Sequence, residues 1–207
     1  MKLTGALSVG AVIAFSLALP ARGDTMLQLT QPVINTLTPI DSVPSSQQID
    51  TLFNDDHTVA LTNLQQIANP TGSVDRGVQL RAIRALIHYC VTTPCGDPDP
   101  AHQTLRQIAL NPIYQNSRSG SDLLVLRAAI ESLGILQVPG DRILLEDQLQ
   151  HPSRDIRAAV ARALRDLGNT QAIPALRARY SVEPAGPPGD QVRLAISDAL
   201  RVLGQPL

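Results

Sequence analysis

The sequence predicts an all-α protein, an α-solenoid (superhelix) of about four antiparallel helix pairs. An apolar stripe with helical spacing recurs along the chain. From about residue 55 onward, breaks rich in Pro, Gly and Asn separate the helical runs. Hydrophobic residues make up 43% of the chain and aromatic residues only 2%, so the core must consist of Leu, Ile, Val and Ala. No alternating pattern of useful length predicts a strand.

The stripe is clearest in the segment that starts at Ile156. Apolar residues there lie at positions i, i+4, i+7, i+8 and i+11, which is one face of a helix, and Gly168 follows as a helix stop. The same positions recur 36 residues later, 31 residues earlier and a further 47 residues earlier. The four sets are Val78, Ala82, Ala85, Leu86, Tyr89; Val125, Ala129, Ser132, Leu133, Leu136; Ile156, Val160, Ala163, Leu164, Leu167; and Val192, Ile196, Ala199, Leu200, Leu203.

A weaker helical pattern precedes each of these four helices. The runs are 56–68, 101–110, 141–150 and 171–180. A single helix pair cannot cover its own apolar face, whereas stacked pairs bury it between neighbours. The unequal shifts between the sets place loops of different length between the pairs.

One stretch of the chain carries a family resemblance. Residues 151–180 have a Pro152 turn, an Asp155-Ile156-Arg157 opening of the second helix, an Ala-rich run and Leu167-Gly168, and then open the next pair with 172–176 (AIPAL). This stretch resembles a HEAT-like repeat of the short bacterial type found in phycobilin lyase subunits. The resemblance extends in weaker form over roughly residues 55–204. It implies an α-solenoid that binds proteins, and it implies no reaction.

The N-terminus has the pattern of a secretory signal peptide over residues 1–23. Lys2 precedes a stretch without charge from residue 3 to 19, and small residues suited to cleavage near Ala21 or Gly23 follow. The alternative is an uncleaved membrane anchor. No second apolar run is long enough to span a bilayer. The predicted organisation is a signal peptide (1–23), an extended or loosely packed N-terminal arm (24–50) with one short helix near its end, and a HEAT-like repeat domain (51–207) in a periplasmic or secreted protein.

The two cysteines fit an exported protein. Cys90 and Cys95 form an even set of thiols, which favours a disulfide in an oxidising compartment. A redox-active dithiol is the alternative, but such pairs usually sit closer together at a helix N-terminus. A metal site would need more ligands than two thiols, so no metal is predicted.

Four arginines, Arg81, Arg127, Arg157 and Arg193, lie near the same position of the second helices. One interpretation is a basic stripe that binds an acidic ligand. The favoured interpretation is a ladder of ion pairs between repeats, since charged side chains that are partly buried there need partners. The candidate partners are Asp75, Asp122, Asp155 and Asp190.

Loops are the other candidate location for a binding surface. The segment 111–120 carries Tyr114 and Arg118, residue types that are favoured at interfaces, and both are predicted as weak contacts. The four histidines lie far apart in sequence, and neither a phosphate loop nor a nucleophile elbow is found. No catalytic residue and no cofactor is predicted.

The leading functional hypothesis is an exported protein-binding or scaffolding module without catalytic activity, whose partner is itself exported or associated with the envelope. A formal net charge of −1 and the few aromatic residues argue against nucleic acid as the partner. The alternative is an enzyme-accessory or lyase-like protein that binds a small molecule in the solenoid groove. A third hypothesis is self-assembly, since residues 24–70 carry Asp but no Lys or Arg, while the C-terminal half is rich in Arg.

Overall fold

The computed structural model of the chain describes residues 29–38, 43–90, 95, 96, 98–205 and 207. Every regular element within these residues is helical, and none of them forms a strand. The prediction of an all-α fold is therefore confirmed. The predicted signal peptide, residues 1–23, lies outside the described residues, as does the segment 91–94 between the two cysteines.

Eleven α-helices follow one another along the described chain. They are α1 (Gln31–Leu37), α2 (Ser46–Asp50), α3 (His57–Ala68), α4 (Arg76–Ala85), α5 (Pro100–Leu110), α6 (Pro112–Gln115), α7 (Gly120–Leu136), α8 (Asp141–Gln148), α9 (Arg154–Leu167), α10 (Ile173–Val182) and α11 (Pro187–Val202). Short 3₁₀ helices span Thr51–Phe53, Leu86–Tyr89 and Thr170–Ala172. The four predicted pairs are α3 with α4, α5 with α7, α8 with α9, and α10 with α11, and the solenoid is confirmed.

The recurring stripe forms the core of the solenoid. All of its residues are buried except Leu136, which is half-buried and packs against the same core. The predicted apolar residues of the first helices, such as Leu64, Leu105 and Leu145, join this core. Because neighbouring pairs share it, each pair covers the apolar face of the next.

The second helices of neighbouring pairs pack side by side: α4 against α7, α7 against α9, and α9 against α11. The α7–α9 contact is close, because a Cβ atom added at Gly134 would lie 2.6 Å from the Cα atom of Ala163. Helix α9 ends at Gly168, whose φ of +72° is the left-handed conformation that glycine adopts without a steric penalty.

The N-terminal segment differs from the prediction. Over residues 29–38 and 43–50 it is not an extended arm but contains the helices α1 and α2, and Val33, Leu37 and Ile49 are buried in the core. Within the described residues, α1 packs against α4 and covers the outer apolar surface of the first pair. A capping box between Ser45 and Gln48 starts α2, which is the short helix expected near the end of this segment.

A cluster of polar groups fixes this N-terminal cover to the first pair. The hydroxyl of buried Tyr89 donates a hydrogen bond to Asp50 (2.6 Å), and the ring of His57 stacks on the Tyr89 ring with 4.5 Å between centroids. His57 Nδ1 lies 2.9 Å from the other carboxylate oxygen of Asp50. Burial, and then the hydrogen bond and negative charge of Asp50, raise the pKa of the Tyr89 hydroxyl far above its ordinary value, so it remains a donor.

None of the described helices is long and apolar enough to cross a lipid bilayer. The cysteines are joined as the sequence predicts: a disulfide links Cys90, just after the 3₁₀ helix Leu86–Tyr89, to Cys95.

Candidate functional site

The four arginines of the predicted stripe do not form one surface. Arg157 and Arg193 occupy equivalent positions of α9 and α11, since they are 36 residues apart, and both bind inside the joints between helices. Arg127 lies on the exposed side of α7, and Arg81 is half-buried on α4. The stripe therefore combines interior and surface positions.

Arg157 is the centre of a largely buried ion-pair network. Its guanidinium binds the Glu183 carboxylate through two hydrogen bonds (2.5 and 3.0 Å), and Arg179 binds the same carboxylate at 2.6 Å. The Glu183 side chain is fully buried. Burial alone would raise the pKa of its carboxyl, but the hydrogen bonds and charges of Arg157 and Arg179 outweigh burial and hold the pKa below its ordinary value.

Arg157 and Arg193 also share a backbone role. Arg157 donates to the carbonyls of His151 and Pro152 (2.9 Å each), just after α8, and Arg193 donates to the carbonyls of Tyr180 and Glu183 (3.2 Å each) around the end of α10. Arg193 thus supplies a partner for carbonyls at the end of α10, where no helical partner is available, and Arg157 does the same for carbonyls of the turn between α8 and α9. The Arg193 guanidinium also lies 4.0 Å above the centre of the Tyr180 ring.

Gln79 occupies the same register position in α4 and performs the same task. It lies 78 residues before Arg157, and its side-chain amide donates to the carbonyl of Ala68 (3.0 Å) at the end of α3. Gln79 does not stand out among the charged residues of the sequence, because the property it shares with Arg157 is a long side chain that donates hydrogen bonds. This position thus joins the two helices of a pair, and a partner would have little access to it.

The ion-pair interpretation is correct for Arg157, which pairs with a carboxylate of the next helix pair, whereas Arg127 pairs within its own helix. For these two arginines the predicted aspartate partners are wrong. Arg157 pairs with Glu183, and Arg127 pairs with Glu131 one turn along α7 (2.7 Å). Sequence proximity suggested the aspartates, which sit at helix starts and have other contacts there. Asp75 accepts from the backbone of Val78, Asp122 pairs with Arg76, Asp155 lies 3.9 Å from Arg154, and Asp190 accepts from the backbone of Gly186.

The predicted contact residue Tyr114 is not exposed. It lies in α6, only 7% of its surface is accessible, and its hydroxyl accepts a hydrogen bond from Gln79 (3.2 Å). The segment 111–120 is not simply a loop, since Asn111 caps a short helix that turns the tyrosine into the core. Arg118 is exposed, and its role as a contact stays a prediction.

The histidines and cysteines do not come together in one site. Buried His102 lies 2.8 Å from Asp141, which also binds Arg106 and thereby ties α5 to α8. His151 Nδ1 accepts from the backbone of Ser153, and its Nε2 lies 2.9 Å from the carbonyl of Gln115. Burial and, to a lesser extent, Arg157 lower the pKa of His151, so its neutral form fits this role.

One group of described side chains has the spacing of metal ligands. The sulfur atoms of Cys90 and Cys95 and the carboxylate of Asp99 lie within 4.8 Å of one another. The sulfur atoms are bonded to each other, so neither is available as a thiolate. Asp99 already accepts hydrogen bonds from the first backbone amides of α5. This arrangement is a disulfide beside a helix cap.

The exposed sides of α4, α7, α9 and α11 form a continuous surface, here called the second-helix face. It is defined by Arg84, Leu124, Arg127, Glu131, Ile135, Arg162, Arg165, Asp166, Asp198, Arg201 and Val202. Arg84, Glu131, Arg162 and Asp198 hold the same register position in the four helices. Contacts between neighbouring helices support this alignment, since Arg84 and Arg162 each lie 4.0 Å from Glu131.

Large aliphatic side chains are exposed on the same face. Leu124 and Ile135 precede and follow Glu131 by seven and four residues, so they lie on its side of α7, and about half of each is accessible. Val202 follows Asp198 by four residues on α11 and is exposed to a similar degree. Exposed aliphatic residues beside arginines are typical of protein interfaces.

Three clefts of the described surface are open to solvent. One of about 330 Å³ follows the turn from Asn69 to Val74. Another, of about 290 Å³, lies between α3 and α5 and is lined by Thr, Gln, Asn and Pro residues. A third, of about 400 Å³, lies over Gln103, Arg106, Gln107 and Leu110. A small-molecule site is usually a concave pocket that buries most of its ligand, and these open clefts differ from that description.

Comparison with known families supports the repeat architecture. A family model described as HEAT repeats matches residues 110–201, which contain α6 to α11 apart from the last residue of α11. Residues 110–201 are HEAT repeats. The predicted resemblance is confirmed for residues 110–201. The α3–α4 pair, which precedes them, carries the same buried register. HEAT repeats are typical of protein-interaction and scaffold modules. No curated protein matches the chain.

Proposed function

We propose that this protein is an exported module that binds or scaffolds another protein and has no catalytic activity of its own. The observation that carries this proposal is the second-helix face, where exposed Leu124, Ile135 and Val202 lie among arginines. Water-exposed aliphatic side chains gain free energy when a partner covers them, and arginine adds directional hydrogen bonds at the same surface.

Export is supported by two features of the chain. Residues 1–23 have the charge and hydropathy pattern of a signal peptide, with cleavage expected near Ala21 or Gly23. The disulfide between Cys90 and Cys95 is stable in the periplasm or outside the cell, where thiols are not kept reduced. We therefore expect the partner to be exported or associated with the envelope. N-terminal sequencing of the protein from envelope and culture fractions tests both the cleavage of the signal peptide and the export of the protein.

A protein partner fits the surface better than a small molecule. The clefts are open, so a small ligand would leave much of its surface in water, whereas a protein surface can span several repeats at once. The polar groups of the joints, such as Arg157 and Glu183, are engaged with one another. The accessory or lyase-like alternative therefore has no specific contact in its favour.

Crosslinking from a defined position tests the proposal directly. A photoreactive residue replaces Ile135 on the second-helix face, and the matched control replaces Ile113, an equally aliphatic and exposed residue on α6. After irradiation of the native cells, we expect a protein adduct from position 135 and none from position 113. The proposal is refuted if neither position gives an adduct, or if adducts form only from position 113.

A further inference from the structure

Charge is unevenly distributed along the second-helix face. Arg165 contacts two carboxylates, Asp166 and Asp198, at 2.8 Å each, and Asp198 also binds Arg201 at 2.6 Å. Around Glu131 the arginines outnumber the carboxylates, because three guanidinium groups share this one carboxylate. They belong to Arg84, Arg127 and Arg162. Five arginines of this face meet only three carboxylates, although the whole chain has a formal net charge of −1.

The three arginines at Glu131 are not equally satisfied. Arg127 donates to Glu131 at 2.7 Å, whereas Arg84 and Arg162 lie 4.0 Å from it, which is beyond hydrogen-bond range. Within the described residues neither Arg84 nor Arg162 has a second carboxylate within 4.0 Å. Their planar guanidinium groups thus keep donors for a further anion.

The arginines around Glu131 lie close enough together to repel one another. Partial burial and the charges of Arg127 and Arg165 lower the pKa of the Arg162 guanidinium, against the opposing effects of Glu131 and Asp166. Arginine remains protonated at any physiological pH, so the repulsion persists until another anion approaches. The three side chains are 30 to 40% accessible, so an incoming carboxylate can reach them.

We propose that Arg84, Arg127 and Arg162 form a binding site for the carboxylates of an acidic peptide segment in the partner protein, with Leu124 and Ile135 receiving aliphatic residues beside them. This inference rests on the proposed function, because it names the chemistry of the partner at the second-helix face. Carboxylates fit the fork of a guanidinium group through paired hydrogen bonds. Glu131 competes for the same donors and prepositions them.

A peptide is favoured over a nucleic acid at this site. The described part of the second-helix face carries no aromatic side chain on which bases could stack, and it offers aliphatic residues instead. The positive charge is also local, whereas nucleic-acid binding usually relies on a long basic track. The acidic peptide and DNA are therefore compared as probes in the same experiment.

Fluorescence anisotropy of labelled probes with the mature, disulfide-bonded protein tests the site. The probes are a short peptide of Asp, Glu and Leu, its amide counterpart of Asn, Gln and Leu, and a single-stranded DNA oligonucleotide. We expect the acidic peptide to bind, the amide peptide to bind at least about tenfold more weakly, and the affinity to fall as salt rises from about 50 to about 200 mM.

Variants that are expected to change peptide affinity in opposite directions separate an effect on binding from an effect on folding. Arg127→Gln and Arg162→Gln should each weaken peptide binding about tenfold, and Glu131→Gln should strengthen it about threefold, because it removes the competing carboxylate. The matched control is Arg154→Gln on α9, whose side chain is 56% accessible and lies outside the second-helix face. Its affinity should change less than twofold. A loss of folding could not produce the increase expected for Glu131→Gln.

Two results would overturn the inference. One is equal binding of the acidic and amide peptides, or the same affinity in the Arg127 and Arg162 variants as in the parent. The other is tighter binding of DNA than of the acidic peptide, with both lost in the same variants. If adducts from position 135 persist while the peptide fails to bind, the arginine site is wrong and the protein-binding function stands. If no adduct forms, the function itself is wrong.

Discussion

Replacing Gly134 with alanine tests the close packing of α7 against α9. Gly134 lies inside α7, and an added Cβ atom would be 2.6 Å from the Cα, 2.8 Å from the carbonyl oxygen and 2.9 Å from the Cβ of Ala163 on α9. Two of these three atoms belong to the backbone, so no side-chain rotation relieves the clash. Helix α9 itself would have to move about 1 Å to reach ordinary carbon contact distance.

Two effects of opposite sign set the magnitude. Alanine favours the helical state by about 1 kcal/mol relative to glycine in a helix interior. Overpacking of a close-packed contact costs about 1 to 3 kcal/mol, and α9 is held from its other side by α11. The second effect dominates here because the obstacle is backbone. We expect Gly134→Ala to reduce the free energy of unfolding by about 1 to 2 kcal/mol, or the melting temperature by about 2 to 8 °C.

Urea denaturation followed by circular dichroism measures this change. Gly120→Ala is the matched control, because the added Cβ at the start of α7 meets nothing within 4 Å. It should leave stability unchanged or raise it by up to about 1 kcal/mol. Adding Ala163→Gly should not restore the parent stability, since the Cα and carbonyl oxygen of residue 163 remain. If Gly134→Ala is as stable as the parent, the close α7–α9 packing is wrong.

Three further predictions concern single interactions. Glu183→Gln should lower the free energy of unfolding by about 2 kcal/mol at neutral pH. The folded-state pKa of Glu183 lies below its ordinary value of 4.5, so its contribution to the free energy of unfolding is complete above that pH. This contribution is lost as the pH falls through the folded-state pKa. The urea midpoints of parent and variant should therefore converge in acid. Tyr89→Phe should cost about 1 to 2 kcal/mol, because Asp50 loses its buried hydroxyl donor, and thermal melts measure this. Reducing the Cys90–Cys95 disulfide should lower the unfolding free energy by about 2 kcal/mol, measured by urea titration with and without reductant, since the bridge closes a short loop.

Two of these predictions have matched controls within the chain. Glu146→Gln removes a partner of Arg142 in a pair within one helix, which is worth about 0.5 kcal/mol, so a loss equal to that of Glu183→Gln would contradict the network at Glu183. Tyr180→Phe keeps the ring beneath Arg193 and should leave stability almost unchanged. If Tyr89→Phe is equally harmless, the hydrogen bond to Asp50 does not hold the N-terminal cover.

The sequence predicted the buried register well, because burial follows from spacing alone. Ile156 and Val192 are equivalent by a constant shift, and both are fully buried. A helix that stacks between two others must repeat its apolar positions, whatever its loops do. The same reasoning does not reach contacts between distant segments. Tyr114 has the composition of an interface residue, but only the path of α6 shows that its ring turns inward.

The ion pair that joins neighbouring helices at Arg157 was predicted, but its acidic partner was not. A partly buried arginine needs partners, and Arg157 has them, but its carboxylate comes from Glu183, after the following first helix, and not from the neighbouring Asp155. Which acidic residue reaches the joint depends on where α10 ends, and helix ends are the least certain part of a sequence-based prediction. The equivalence of Gln79 with Arg157 was hidden for a different reason, because it follows from hydrogen-bond donors and not from charge.

Arg127 is the residue whose loss should affect binding but hardly affect stability. Arg84, Glu131, Arg162 and Asp198 alternate in sign along one register row, and that alternation alone would provide attraction between neighbouring second helices. Arg127 adds a third positive charge beside Glu131 from within α7, in a pair that is worth about 0.5 kcal/mol or less at an exposed site. A ladder that served only to align repeats would not need it. Loss of Arg127 should therefore hardly change the urea midpoint while it weakens acidic-peptide binding about tenfold, and a variant that lost stability and binding in parallel would make this row a structural ladder only.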